Sequence, residues 1–400
     1  MDNVVNLDVL VVYSSGVALS ASVEDSHSKH PFLLDSKQAD YNRSYAYFLD
    51  ACKKQGMKAG FTTSADIIGP GMCKNYWTSV ANDWTKIDKN AKSFQIFDKI
   101  SPVSKIRAAE RKLLLASKKI MPFNDIELFA IFFDKLLTYK TLSSYAIPTV
   151  EISSNQSKDI NIALQKLTAL ISKHSSSNDF SHQVILKDRF GAGGNHVYKV
   201  STDFSKKIHS LMIKYPKINF VIQPFLKFDQ GYTYQDKQTS TDIRLIFQHN
   251  QVLQYYLRIA KPNDFRCNEH QGGRLVYVTK NDIPESIHLM ASKIIKKINK
   301  PQSLYALDFA ISNTGKPYFI EGNVGPGIDW NITKKIDEKM SKQLIRSIVK
   351  ELASRVHKHL PVQINDTFTS LTSQHNHLLA LNISTLEQNR LNESSLLLLQ

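Results

Sequence analysis

The chain has 400 residues, more than one typical domain, so we expect two or three domains with ample capacity for a hydrophobic core. Its 42% hydrophobic and 22% charged residues are typical of a globular protein, and no apolar run reaches membrane-spanning length. A net charge of +15 favours acidic partners, but the lysines are scattered and form no recognised nucleic-acid motif, so we predict acidic metabolites as ligands and neither nucleic acid nor a membrane.

The cysteines and the N-terminus indicate the compartment. Cys52, Cys73 and Cys267 are odd in number and lack metal-ligand spacing, so we predict free thiols in a reducing environment. Asp2 and Asp8 precede the first apolar run, where a signal peptide would carry basic residues. We therefore expect a cytoplasmic protein.

The first 120 residues or so predict an α/β unit of three or four strands. The pattern LDVLVVY followed by Ser-Ser-Gly is typical of a buried first strand. The predicted strands are Leu7–Tyr13, Met57–Thr62 and Phe94–Ile100, and the predicted helices are Tyr45–Gln55 and Ile106–Lys119. Residues 18–42 are expected to be loop, and residues 63–92 show no clear pattern.

The middle of the chain alternates between helices and strands. Asn124 is a candidate N-cap for a helix at Asp125–Phe133, which continues through Asp134–Tyr145. Further predicted strands are Thr149–Ile152, Gln183–Asp188, Val197–Val200, Ile218–Pro224, Asp242–Gln248 and Val252–Ala260, and the helices are Ile160–Lys173 and Phe204–Tyr215. Residues 227–241 are predicted to be a polar loop. A long helix, Lys335–Leu360, ends at Pro361, and the tail 361–400 either packs on the body or is disordered.

Leu304–Ser312 and Pro317–Asn323 are predicted to form a hairpin around Asn313–Lys316. A turn of this length places Asp308 directly opposite Glu321, with Asn323 on the same face because side chains alternate along a strand. The opposite face is predicted to be apolar. Its members are Leu307, Phe309, Ile311, Tyr318 and Ile320.

The paired carboxylates suggest a cation site. Asp308 and Glu321 would lie about 5 Å apart at Cβ, and like charges so placed are destabilising without a cation between them. Hard oxygen ligands favour Mg²⁺, which commonly binds a few carboxylates together with substrate phosphates. A solvated acidic strand face remains the alternative on the hairpin alone.

Lys187 ends the predicted strand VILK and leads into a glycine-rich turn with Gly191, Gly193 and Gly194. Glycines allow backbone N–H groups to approach an anion, and the lysine supplies positive charge to a phosphate. No Gly-Lys-Ser/Thr follows, so this is not a P-loop. An ordinary glycine-rich hairpin turn is the alternative.

Two more segments are candidates for ligand binding. The stretch from Arg258 to Gly273 is dense in polar side chains, and Arg258 and Arg266 could clamp a carboxylate or a phosphoryl group. His270 within it is more often a hydrogen-bonding partner than a catalyst. The apolar strand Val221–Leu226 could pair its backbone with a flat heterocycle, or could be an edge strand that tolerates Pro224.

In their order along the chain, these motifs resemble the ATP-grasp superfamily, within the branch of RimK-like glutamate ligases and bacterial glutathione synthetases. The resemblance covers roughly residues 94–358 and is most specific in DFRCNEHQGG and in Asp308 with EGNVGPG. It implies an α/β (α+β) fold, an ATP-grasp fold preceded by a pre-ATP-grasp α/β domain. The implied domains are residues 1–122, residues 123–360 with subdomains at about 149–225 and 226–360, and the tail 361–400.

The resemblance also implies roles for individual residues. Lys135 and Lys187 would contact ATP phosphates under a mobile loop at Gly191–Gly194, and Gln223, Phe225 and Leu226 would belong to the hinge that reads adenine. Asp308, Glu321 and Asn323 would hold two Mg²⁺ ions, with Mn²⁺ as an alternative. Arg258, Arg266 and Asn268 would grip the γ-phosphate and an acyl-phosphate. Pro224 stands where the family often has Glu.

The implied reaction joins a small-molecule or peptide carboxylate to an amine through an acyl-phosphate, and a homo-oligomer is an option. Positioning and charge neutralisation would supply most of the rate. Two other functions share the metal residues. One is an ATP-grasp kinase acting on a hydroxyl, and the other is a non-catalytic ATP-binding protein.

Overall fold

The computed structural model describes residues 4–22, 28–329 and 334–358. The chain forms two compact units, residues 1–348 and residues 349–400. In the second unit the described residues, 349–358, are helical. The predicted tail 361–400 lies outside the described residues.

Two sheets and two helices form the N-terminal part. Its strands are β1 (Val5–Asn6), β2 (Val9–Tyr13), β3 (Ala59–Thr63), β4 (Ile67–Gly69), β5 (Met72–Cys73), β6 (Tyr76–Val80), β7 (Asp83–Ile87), β8 (Ala91–Lys92), β9 (Gln95–Lys99) and β10 (Met121–Pro122), and its helices are α1 (Tyr41–Lys54) and α2 (Lys105–Leu114). The strand orders are β10-β9-β2-β3-β6-β7 and β1-β8-β5-β4. The six-stranded sheet therefore exceeds the three or four strands predicted.

The extra strands are the short edge strand β10 and the hairpin β6–β7, and the sequence analysis missed all three. The hairpin shows why. Its turn is Ala81-Asn82, and both residues have positive φ, 53° and 71°. Two-residue hairpin turns of this kind require positive φ, for which Asn-Gly or Asp-Gly is the usual sequence signal. Alanine carries no such signal, so the pattern gave no indication of a turn.

Strand β2 lies at the point where the order of the parallel strands reverses. The chain passes from β2 to β3 on one side and returns to β9 on the other, and both pair with β2 in parallel. Tyr13 and Lys99 are register partners at the carboxyl ends of β2 and β9. In open α/β sheets, the crevice outside such a switch point is a common ligand site.

Two short helices, α3 (Ile126–Phe133) and α4 (Lys135–Leu142), connect the N-terminal sheets to the rest of unit one. Asp125, rather than the predicted Asn124, caps α3 by accepting a hydrogen bond from the backbone of Leu128 (3.0 Å). Asp134 breaks the predicted continuous helix, because its carboxylate caps α4. Lys135 is consequently the first residue of a helix.

A four-stranded antiparallel sheet follows, in the order β11-β14-β12-β13. Its strands are β11 (Val150–Glu151), β12 (Phe180–Asp188), β13 (Val197–Val200) and β14 (Phe220–Leu226), and the helices packed with it are α5 (Ser157–Ser172) and α6 (Phe204–Lys214). We call it the small sheet. Predicted and observed elements agree here to within a few residues.

The third region contains a five-stranded antiparallel sheet, here called the large sheet, in the order β19-β18-β17-β20-β21. The elements are β15 (Thr233–Tyr234), β16 (Lys237–Gln238), β17 (Thr241–Gln248), β18 (Gln251–Ile259), β19 (Arg274–Val278), α7 (Glu285–Ile298), β20 (Tyr305–Ile311) and β21 (Pro317–Val324). Residues 335–348 are helical and end the first unit. The segment predicted as a loop, 227–241, contains the ribbon β15–β16, and β19 and α7 were not predicted.

The β20–β21 hairpin has the predicted pairing at Asp308 and Glu321. Toward the turn, however, the register shifts by one residue, because Ile320 forms a bulge and Phe309 pairs with Phe319. The predicted apolar face was therefore wrong for Tyr318 and Ile320. Phe309 and Phe319 pack in one hydrophobic cluster, and Tyr318 and Ile320 in another on the other face.

The hairpin tip of the large sheet is tied to the start of the small sheet. The buried carboxylate of Asp179, just before β12, accepts hydrogen bonds from Tyr318 Oη (2.7 Å) and Thr314 Oγ1 (2.5 Å). These bonds outweigh burial and hold the pKa of Asp179 below its usual value. Asp179 thus fixes one end of β12 to the hairpin.

The three cysteines are free, as predicted, and all three are buried. Burial raises the pKa of Cys52 and of Cys73 to about 12, so neither thiol is reactive at neutral pH. No helix in the described part of the chain has the length and apolar character needed to cross a bilayer.

Candidate active site

A cavity of about 120 Å³ lies between the small and large sheets. One end is apolar, with side chains from both sheets, and the other holds lysines and the glycine loop. The apolar lining residues are Ile147, Ile185, Pro224, Phe225, Leu226, Phe228, Phe265, Ala310 and Ile320. The cavity therefore has a place for a flat apolar group at one end and for an anion at the other.

The predicted hinge residues border the apolar end. Gln223, Phe225 and Leu226 belong to β14, and Gln223 is buried with its Nε2 donating to Thr149 Oγ1 (2.7 Å). A bulge places residues 181–183 opposite Phe225, so the backbone of Phe225 lies outside the regular ladder. That irregularity leaves backbone groups next to the cavity, which is what hydrogen bonding between the backbone and a heterocycle requires.

Lys135 and Lys187 meet at the polar end although they lie 52 residues apart. Lys135 Nζ donates a hydrogen bond to the carbonyl of Gly191 in the glycine loop. Burial lowers the pKa of Lys187 to about 8, against the attraction of Glu321, and the charge of Lys135 lowers it further. Two half-buried cations close together at one end of a cavity indicate a site for a polyvalent anion.

Lys187→Met should stabilise the folded protein at neutral pH. A lysine whose folded pKa, about 8, lies below its ordinary 10.5 costs stability wherever both states are charged, which is below about pH 8. The gain in free energy of unfolding, about 1–3 kcal/mol at pH 7, should shrink between pH 8 and 10.5 and vanish above. Denaturant unfolding at several pH values measures it.

Lys199→Met, in the neighbouring strand, is the control because its ammonium lies over the rings of Phe225 and Phe265 outside the lysine pair. It should show no comparable gain. If Lys187→Met were less stable than wild type at pH 7, the inference that Lys187 is a desolvated cation without an ion pair would be wrong.

The glycine loop packs against residues 264–273, whose sequence is DFRCNEHQGG. A Cβ on Gly194 would lie 2.9 Å from Asn268 Oδ1, and one on Gly193 would lie 3.2 Å from the His270 ring. Both glycines have positive φ, 74° and 67°. The loop therefore needs glycine both for its backbone conformation and for its approach to Asn268.

Asp308 lies at the centre of a buried charge network. Arg244 binds its carboxylate in bidentate fashion, and Arg258 donates to Asp308 Oδ2 (2.6 Å) and to Asp242 Oδ1 (2.7 Å). Burial would raise the pKa of Asp308, but both guanidinium charges outweigh burial and hold it below its usual value. The network involves three carboxylates and two arginines, counting Glu321, which is 4.0 Å from Arg244.

These residues fit a divalent cation in composition. Asn323 Nδ2 is 3.4 Å from Asp308 Oδ2, so the amide lies on the carboxylate face as predicted. The described residues contain no group of three or more His, Cys, Asp or Glu side chains placed to hold a metal, so a cation bound here would need the amide oxygen of Asn323 beside Asp308 and Glu321. Glu321 and Asn323 are half-buried, whereas Asp308 would share its oxygens with the arginines.

The two candidate arginines differ in their availability to a ligand. Arg258 lines the cavity, but its donors already bind Asp242 and Asp308. Arg266 also lines the cavity and is 31% exposed, and it pairs with Asp264 (2.9 Å). Arg266 is thus the more exposed of the two arginines, although Asp264 binds its guanidinium in bidentate fashion.

Arg244 lies in the motif DIR (Asp242–Arg244), which is part of the family resemblance, but sequence reasoning gave it no role in the site. It pairs with Asp308 across β17 and β20. The sequence did contain an indication of this role, because an arginine in a strand next to an acidic strand can neutralise a carboxylate pair. Recognising that role requires knowing that β17 and β20 are neighbours in the sheet.

The comparison with protein families decides the identity. Residues 134–348, more than half of the chain, match the model of the RimK-like ATP-grasp domain. The chain belongs to the RimK-like ATP-grasp family. Members of this family use ATP and divalent metal ions.

Relatives of known sequence match a shorter stretch. Probable α-L-glutamate ligases of Coxiella burnetii strains RSA 493 / Nine Mile phase I and CbuG_Q212 are each 32% identical over 123 residues, which is 30% of this chain and 35% of theirs. The chain thus spans about a third of the length of these curated relatives.

Solved structures confirm the ATP-grasp fold. A D-cycloserine synthetase has a TM-score of 0.54 at 13% identity, covering 87% of this chain and 99% of its own. The D-alanyl-alanine synthetase A of Vibrio cholerae O1 biovar eltor str. N16961 has a TM-score of 0.54 at 13% identity, covering 87% and 98%. The predicted fold class, α/β with an ATP-grasp fold, is confirmed.

Proposed function

We propose that this chain is an ATP-dependent carboxylate–amine ligase that forms an amide bond through an acyl-phosphate and releases ADP and phosphate. The observation that carries the proposal is the pair of half-buried lysines, Lys135 and Lys187, beside Glu321 at the polar end of a cavity whose other end is apolar. Membership of a RimK-like ATP-grasp family supports it.

The ligands have natural places in this arrangement. Adenine would lie at the apolar end against Phe225 and Leu226, with the phosphates between Lys135 and Lys187 under the glycine loop. Two Mg²⁺ ions would be held by Asp308, Glu321 and Asn323 and would neutralise phosphate charge. Arg266 would bind the γ-phosphate and the acyl-phosphate, with Asn268 beside it.

In the reaction, the carboxylate of the acid substrate attacks the γ-phosphorus, and ADP leaves. The amine then attacks the acyl carbon, and phosphate leaves. No nucleophilic side chain is required, because lysines, arginine and metal stabilise the transferring charge. We also propose the domain boundaries given in the sequence analysis. The first 122 residues would form one wall of the substrate site.

The test measures ADP release from Mg-ATP with single amino acids and acidic peptides, including L-glutamate in view of the named relatives. Hydroxylamine is added in a parallel series, because it converts an acyl-phosphate into a hydroxamate. We expect ADP and hydroxamate with the same acid. ADP without hydroxamate would indicate a hydroxyl kinase, and no ADP with any acid would contradict the proposal.

A further inference from the structure

A second, larger cleft of about 490 Å³ opens from the candidate ATP site. The two share residues of the phosphate end, among them Lys135, Gly191 and Glu321. The far end of the cleft is lined by a distinct group of side chains. They are Tyr13, Tyr41, Lys99, Glu269, Tyr277 and Asp329.

The far end lies at the switch point of the N-terminal sheet. Tyr13 and Lys99 are register partners there, at the carboxyl ends of β2 and β9. Across the cleft is the segment 325–329, which follows the predicted metal ligand Asn323 after a single residue. The cleft is therefore bounded by the N-terminal sheet on one side and by the continuation of the metal-bearing strand on the other.

Lys99 joins these two sides. Its Nζ donates to the carbonyls of Gly325 (2.7 Å) and Pro326 (3.0 Å). Two of its three N–H donors are thus committed to backbone, so Lys99 holds the segment in place and contributes little to binding an anion.

Asp329, at the end of this segment, is half-buried and borders the cleft. Its carboxylate accepts a hydrogen bond from its own backbone N–H. Burial raises its pKa, against Lys99 and His270, and Asp40 raises it further. A carboxylate of this kind, open to a cleft, can bind an ammonium group and accept its proton.

The surroundings favour a cation over an anion. Asp329 raises the pKa of both Tyr13 and Tyr41 in addition to the effect of burial, so the phenols stay neutral and their oxygens can accept hydrogen bonds. Glu269 adds a second carboxylate, with a pKa raised by burial. The tyrosine rings also offer faces to a cation.

We propose that the far end of this cleft is the subsite for the amine substrate, a primary amine that enters as a cation, and that Asp329 accepts its first proton. The inference rests on the proposed ligase function. The neutral amine then attacks the acyl carbon, the C–N bond forms, and the C–O bond to phosphate breaks. The second proton of the nitrogen leaves with the phosphate, so charge and atoms balance.

The test compares two nucleophiles with the acid that gives hydroxamate in the screen. Methylamine is a cation at neutral pH, whereas hydroxylamine is neutral and needs no proton acceptor. Asp329→Asn should reduce N-methylamide formation roughly 100-fold and leave hydroxamate formation within about twofold of wild type. Asp329→Glu, which keeps the acid, should restore part of the methylamine reaction.

Asp159→Asn is the matched control, because Asp159 is a half-buried carboxylate in the first turn of α5 that lines neither cavity. It should leave both reactions unchanged. Equal loss of both products in Asp329→Asn, or no loss of either, overturns the subsite, as does a wild type that forms hydroxamate and no N-methylamide. Absence of hydroxamate in wild type would instead refute the ligase function itself.

Discussion

Glu321→Gln should release ADP roughly 100-fold more slowly than wild type while its free energy of unfolding stays within about 0.5 kcal/mol. The side chain of Glu321 is 26% exposed and faces the cavity, so glutamine keeps its shape and changes only its charge. The proposed metal ions would lose one anionic ligand, and the paired lysines would lose the carboxylate that attracts them. ADP release over a Mg²⁺ titration and denaturant unfolding measure both effects.

The matched control is Glu285→Gln, an exposed residue in the first turn of α7 that touches neither cavity. It should behave as wild type in both assays. If Glu321→Gln turned over at the wild-type rate with Mg²⁺ present, Glu321 would not be a metal ligand. The carboxylates of the hairpin would then have only a structural role, as partners of the buried arginines.

Asp308→Ala should be inactive and should also lower the free energy of unfolding by about 3–5 kcal/mol. Asp308 is completely buried, and its removal leaves Arg244 and Arg258 without the carboxylate that both of them bind. An uncompensated buried guanidinium is far more costly than the loss of an exposed ion pair. Denaturant unfolding at neutral pH gives the value.

The exposed Asp88 provides the comparison, and Asp88→Ala should change stability by less than about 0.5 kcal/mol. A change below about 1 kcal/mol in Asp308→Ala would show that the arginines find other partners. Glu321→Gln and Asp308→Ala together should separate two roles on one hairpin. We expect the first to affect mainly ligand binding and turnover, and the second to affect the stability of the fold as well.

The hairpin shows how far sequence reasoning reaches. The predicted pairing of Asp308 with Glu321 is observed, but the turn alone does not produce it. Next to the turn Ile311 pairs with Pro317, one residue out of the predicted register, and the bulge at Ile320 restores the predicted register at Asp308. The bulge was not predictable, because aromatic and aliphatic residues on both strands fit either register. It is a property of packing, since Tyr318 must reach Asp179 and Phe319 must reach Phe309.

Contacts between distant segments were the other limit. The resemblance marked Arg258 for phosphate binding, yet the structure places its donors on Asp242 and Asp308. Which charges meet depends on the order of strands in the large sheet, which no local pattern encodes. The pairing of Lys99 with segment 325–326 spans more than 220 residues and was invisible for the same reason.

The bond between Asp179 and the hairpin tip has a mechanical consequence. It anchors the beginning of β12, while the glycine loop follows the end of the same strand nine residues later. A strand of that length is a lever arm of about 30 Å, so turning the small sheet by about 10° around Asp179 would carry the loop through about 5 Å. A small tilt at the anchored end would thus be enough to open or cover the phosphate end of the cavity.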